Sequence, residues 1–158
     1  MIFSLSPTSK LKINDDVLDR LHVYRQLGST DTEAGGVLMG RFLEGSDNII
    51  IDLITEPMEK DTRERCFFKK HLAIHQEIVD KIWGESDGTC NYVGEWHTHP
   101  EKHPSPSFHD KREWKKVLRK TQCESTFLFF LIIGTESIGV WVGNRKNEKI
   151  KKLEVWNK

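Results

Sequence analysis

The stretch NYVGEWHTHPEKHPSPSFHDKREWKKVLRK, residues 91 to 120, restricts the fold of this chain more than any other. Its first nine residues alternate as a half-buried strand does, setting Val93, Glu95, His97 and His99 on one face and Tyr92, Gly94 and Trp96 on the other. Pro100, Pro104 and Pro106 then exclude both strand and helix. From Ser107 on, FHDKREWKKVLRK has helical spacing, with Trp114, Val117 and Leu118 inward. A strand, a stiffened loop and a helix in this order hold the end of the strand in a fixed relation to the start of the helix.

Four of the seven histidines, His97, His99, His103 and His109, fall in that stretch. His97 and His99, two apart on a strand, project to one side with Cα atoms roughly 6.5–7 Å apart. Their imidazoles can therefore meet at one metal ion, at about 2.0–2.1 Å each. Asp110, in the first turn of the following helix, is the best third ligand. Ser107 and Asp110 also have an ordinary explanation, because a serine three residues before an acid is a helix cap, and both readings stand at this point. His103 and His109 read as solvated or peripheral to the ions' ligands, and His22, His71 and His75 as surface or boundary residues. Trp96 reads as core.

Elsewhere, DDVLDRLHVYRQL gives a first helix over roughly 15–28, with Val17, Leu18, Leu21, Tyr24 and Leu27 inward behind Asn14 and Asp15. GGVLMGRFLEG and IIIDLIT form a hairpin turned by Gly45 to Asn48. Residues 57–65 are polar, begin with proline and read as a loop and possible partner surface, followed by a short strand in CFFKK. A helix over about 71–84 follows, carrying Ile74, Ile78 and Ile82 in one row and ended by Gly84 and Gly88. TFLFFLIIG, SIGVWVG and KIKKLEVW supply three further strands. The expectation is an α/β fold, a mixed sheet sandwiched by helices, in one domain spanning 1–158.

Twenty-four Lys and Arg balance twenty-four Asp and Glu, and no basic stripe stands out, so no nucleic-acid partner is expected. FLFFLIIG is too short to span a bilayer, so no membrane partner is expected either. Cys66, Cys90 and Cys123 are odd in number and never form CxxC. With no cleavable apolar leader, this describes a reduced, cytoplasmic protein.

Glu33 in EAGGVLMG, then His97, His99 and Pro100 in HTHP, then Ser107 and Asp110 resemble the JAMM motif of the MPN (JAB) family of zinc metalloproteases in identity, order and spacing. The resemblance covers roughly residues 10–143 and implies the cytidine-deaminase-like MPN fold. It implies Zn2+ held by His97, His99 and Asp110, a fourth tetrahedral position left open for an acidified water, Glu33 as general base and Ser107 as an oxyanion donor. By itself Glu33 would read as a solvated acid beside Asp31, and Glu95, on the histidine face, is a weaker rival for the base.

The family cleaves amide bonds, often between the C-terminus of ubiquitin or a ubiquitin-like protein and a lysine amine, and the substrate tail commonly adds as a strand. A short chain without clustered cysteines resembles the bacterial deconjugating peptidases of CBASS antiphage operons. That implies a protein substrate bearing an amide-linked C-terminal tail, a cyclic-nucleotide synthase (CD-NTase) or a ubiquitin-like protein. The rival readings are a peptidase of another bacterial ubiquitin-like or sulfur-carrier system, and a non-catalytic MPN binding module.

Overall fold

The apolar runs become strands of one sheet, as their β-branched and aromatic content requires. A computed structural model describes residues 1–157. Its elements are β1 (Ile2–Ser4), β2 (Lys10–Ile13), α1 (Asp15–Val23), β3 (Gly35–Phe42), β4 (Ile49–Ile54), β5 (Thr62–Glu64), β6 (Phe67–Lys69), α2 (Leu72–Glu85), β7 (Asn91–Thr98), α3 (Phe108–Lys120), β8 (Phe127–Ile133), β9 (Ile138–Asn144) and β10 (Ile150–Lys152). The large sheet has the order β1-β2-β4-β3-β7-β8-β9-β10 and is mixed, with β2·β4 and β7·β8 parallel and the other pairs antiparallel. A bridge between Phe3 and Val155 ties the chain beyond β10 back to β1, so the sheet curls.

Both faces are covered. On one, Val17, Leu18 and Leu21 of α1 join a core with Leu38, Trp96, Phe129 and Leu131. On the other, Trp114 and Leu118 of α3 pack on Leu128, Phe130, Ile132 and Trp141, while Val79 of α2 meets Val37, Met39 and Cys90. The Trp114 ring stacks on Phe130 at 4.7 Å between centroids, which pins the middle of α3 over the sheet. The expected helix-covered mixed sheet is thus the observed one.

Several details differ from the sequence expectations. The strand face of β7 switches at Val93: Leu38 pairs with Gly94 and Met39 with Tyr92, leaving Val93 as the extra residue of a bulge. Val93 therefore turns into the Trp96 core, and Tyr92 joins the face of Glu95, whose carboxylate accepts its hydroxyl at 3.3 Å. Gly94 sits at φ +150°, and a Cβ there would lie 1.8 Å from the carbonyl oxygen of Phe129, so only glycine fits.

The first helix stops at Val23 rather than near 28, and Leu27 is 67% exposed. Unwinding lets Gln26 bury its amide, which donates to the carbonyls of Asp31 and Arg65 and accepts from Thr98 Oγ1. The expected loop 57–65 contains β5, which forms a hairpin with β6. Of KIKKLEVW only Ile150–Lys152 is a strand.

His75 is not a surface residue. It is 1% exposed, bonded through Nδ1 to Thr55 Oγ1 at 2.7 Å and through Nε2 to Asp61 at 2.9 Å. Nor is basic charge evenly spread. α3 and residues 144–154 together hold eleven Lys and Arg against four Asp and Glu, a basic face that the neutral total conceals. Among the described residues no helix is long and apolar enough to cross a membrane.

Candidate metal centre

The C-terminal end of β7 lies between β3 and β8, where two ladders fix it. Gly35 pairs with His97, and Ala34 exchanges bonds with Thr98: its amide donates to Thr98 Oγ1, and its carbonyl accepts from the Thr98 amide, both at 2.9 Å. Continued by one residue, this antiparallel register sets Glu33 opposite His99. On the other side the His99 amide donates to the Ile133 carbonyl at 3.0 Å. The proline loop then turns onto the β8–β9 connection, where the amides of Thr135 and Ser137 donate to the carbonyls of Glu101 and Lys102. It delivers the chain to α3.

Three donor atoms converge there. His97 Nε2 and His99 Nε2 are 3.0 Å apart, and each is 3.2 Å from an oxygen of Asp110. Donors about 2.0–2.1 Å from a tetrahedral metal ion are spaced about 3.3 Å apart, so the triangle has the dimensions of three corners of such a site. Two ring nitrogens and a carboxylate this close are held together by shared protons or by a metal ion. The residues fit a metal ion, and the cluster His97, His99 and Asp110 is one that could hold it.

The surrounding groups prepare that donor set. Asp110 and Ser107 form a capping box: Ser107 Oγ accepts from the Asp110 amide at 3.1 Å, and Asp110 Oδ2 accepts from the Ser107 amide at 2.7 Å. The ordinary reading of these two residues therefore holds and is compatible with the metal reading, since the cap fixes the carboxylate that such a site would use. Burial works against charge on Asp110, but hydrogen bonds from His97 and His99 hold its carboxyl well below the usual range. Burial lowers the pKa of His97. Burial also opposes charge on His99, yet hydrogen bonds to Asp110 and Glu101 and the nearby Glu33 leave its pKa raised.

Glu33 is buried beside the cluster, with Oε1 4.0 Å from His99 Nε2. Desolvation raises its pKa to about 7, despite the opposing pull of the His99 imidazole. A carboxyl with that pKa exchanges protons at neutral pH, and Glu33 stands beside the three clustered donors rather than among them. Glu95, the rival acid, is committed to an ion pair with Lys70 Nζ at 2.7 Å. His103 and His109 are exposed and stand outside the cluster.

Sequence reasoning missed what orients these groups. Glu101 Oε2 lies 3.1 Å from His99 Nδ1 and accepts the Ser105 amide at 3.1 Å. A proton held on Nδ1 leaves the Nε2 lone pair facing the cluster. An acid two residues past the second histidine was the available signal. The β5–β6 hairpin, meanwhile, grips Glu33 by its backbone: its amide donates to Glu64, and its carbonyl accepts from Arg63 Nε at 2.8 Å. The glycine pair after Glu33 allows this approach. A Cβ on Gly35 would lie 2.5 Å from the Phe68 ring, and one on Gly36 2.2 Å from the Thr55 carbonyl. Nothing short-range in the sequence marks the hairpin.

Residues 15–154 match the family described as prokaryotic homologs of the JAB domain. The chain is 37% identical over 142 residues to a protein of Escherichia coli (strain TW11681) named CD-NTase/cGAS isopeptidase, covering 90% of this chain and 86% of that one. It is 34% identical over 157 residues to a protein of the same name from Vibrio cholerae, covering 98% and 96%. Among solved structures it is similar to protein DSY2949 from Desulfitobacterium hafniense, with a TM-score of 0.63 at 18% identity over 94% of this chain and 92% of that one. That likeness concerns the fold alone.

Proposed function

Because the chain belongs to the JAB-domain family in its prokaryotic form, we propose that it is a zinc-dependent isopeptidase that reverses protein conjugation in an antiphage CBASS system. The substrate is a CD-NTase joined through its C-terminus, by an amide bond, to a target protein. The observation that carries this reading is the convergence of His97, His99 and Asp110 beside a buried Glu33, in a chain this similar to proteins named CD-NTase/cGAS isopeptidase.

In this reading His97, His99 and Asp110 hold zinc, which supplies Lewis acidity and brings the pKa of a water close to neutrality. Glu33 accepts a proton from the attacking water and returns it to the leaving amine, which its pKa near 7 allows in both directions. Ser107 Oγ accepts the Asp110 amide and so keeps its own proton free to donate to a developing oxyanion. Glu101 keeps His99 in the required tautomer. In this reading residues 1–158 form one domain.

The test is a CD-NTase whose C-terminus is joined by an isopeptide bond to a reporter. Cleavage at the last CD-NTase residue, stopped by a chelator and restored by zinc, is expected. Glu33→Gln is expected to slow turnover by about two to four orders of magnitude, with zinc content unchanged. Near-parental turnover in that variant removes Glu33 from the role. Cleavage of a sulfur-carrier adduct but of no CD-NTase fusion replaces the substrate reading.

A further inference from the structure

A trough of about 1290 Å³ runs between α3 and the β9–β10 hairpin, starting at Pro104 and Pro106 in the loop that carries Ser107. It exceeds the roughly 300–1,000 Å³ of small-molecule pockets, so its dimensions suit a stretch of polymer. Lys111, Arg112 and Lys115 of α3 line one side, and Lys149 and Lys152 the other, while the Lys151 ammonium turns away to the Leu5 carbonyl at 3.4 Å. Lys111, Lys115, Lys149 and Lys152 have no acidic partner within 4.0 Å among the described residues, whereas Arg112 lies 3.8 Å from Glu113, and nearby Lys116 and Arg119 are paired with Glu113 and Glu148 at 2.7 Å. Four of the five cations facing the trough are thus unneutralised. Trp141 and Ile150 form its apolar floor, and Phe108 and Phe127, 83% and 44% exposed, stand at its margins. Exposed aromatic rings framed by unpaired cations are the composition of an interaction site rather than of a solvated face.

We propose that this trough docks a protein partner through an extended segment in which acidic and apolar side chains are mixed. The two linings call for the two kinds of side chain, acids against the lysines and apolar groups against the floor. A single-stranded nucleic acid would supply the negative charge but binds along a groove through open aromatic faces on which its bases stack. The floor does not offer one: Trp141 is 6% exposed, its ring set against Trp114 at 5.5 Å with Lys152 Nζ 5.8 Å from its centre. The inference stands apart from the isopeptidase reading, because neither metal nor Glu33 takes part in it.

The probe is a fluorescein-labelled twelve-residue peptide alternating glutamate with valine and tyrosine, titrated with the full chain and followed by anisotropy. Binding is expected that weakens as salt is raised, and Lys115→Glu with Lys152→Glu is expected to weaken it by about tenfold or more, since acids then face acids. The thermal midpoint of the double variant checks that it is folded, and single Lys→Gln variants serve if it is not. Equal binding by the variants overturns the proposal, as does equal binding of an all-glutamate peptide, which would reduce the trough to a charge attraction. Tighter binding of a single-stranded oligonucleotide of the same charge, lost in the same variants, overturns it in favour of a nucleic acid.

Discussion

Replacing Glu101 with alanine removes the oxygen that lies 3.1 Å from His99 Nδ1 and accepts the Ser105 amide at the same distance. The His99 ring then loses the partner that keeps its proton on Nδ1 and its Nε2 lone pair toward Asp110. Loss of such an orienting partner costs about 10- to 100-fold in metal affinity, or about 1.4–2.7 kcal/mol. The Glu101 side chain is 49% exposed, so water can take over part of its acceptor role, and a loss near the lower end, about tenfold, is expected. Glu101→Gln keeps an uncharged oxygen in place and is expected to lose only about threefold, as a neutral acceptor is weaker than a charged one. Competition with a chromogenic zinc chelator at pH 7.5 measures both. Parental affinity in both variants refutes the orientation argument. A large drop in the thermal midpoint of metal-free Glu101→Ala would refute it differently, by showing that Glu101 acts through Ser105 to hold the loop.

Asp61→Ala leaves the amides of Met58 and His71 and the ring of His75 without their acceptor, and is expected to cost at least about 2 kcal/mol, read as a lower thermal midpoint. Burial opposes charge on Asp61, but those amides and His75 lower its pKa in the folded chain. Its contribution is therefore complete above the unfolded value of about 3.9 and lost as pH falls through the lower folded value, so Asp61→Asn is expected to flatten the acid limb of the stability profile. Gly94→Ala drives a Cβ to 1.8 Å from Phe129 O and is expected to cost about 4 kcal/mol or more; a parental melting curve would contradict the bulge. Ser107→Gly costs only a few tenths of a kcal/mol at a helix N-cap, so a fall in turnover of about 100-fold in a variant of near-parental stability and parental zinc affinity reports loss of the hydroxyl's donation.

The spacing of His97 and His99 and the cap at Ser107 and Asp110 are local facts, set by the period of a strand and the first turn of a helix. They were legible in the sequence together with the apolar runs of the sheet, because each depends on neighbours a few residues away. The resemblance that drew in Glu33 supplied its identity but not its position. That position follows from the antiparallel pairing of Gly35 with His97 and from a hairpin that grips Glu33 from thirty residues downstream. The same division explains the errors. Alternation assigned Val93 to the wrong face because a bulge depends on how two strands mesh, and His75 read as a surface residue because its partners, Thr55 and Asp61, lie in other elements. A zero net charge concealed a basic trough because a total carries no positions. Local periodicity is written along the chain, whereas register, buried polar bonds and the grouping of charge arise when distant segments meet, and in this protein those meetings decide which atoms face the metal cluster.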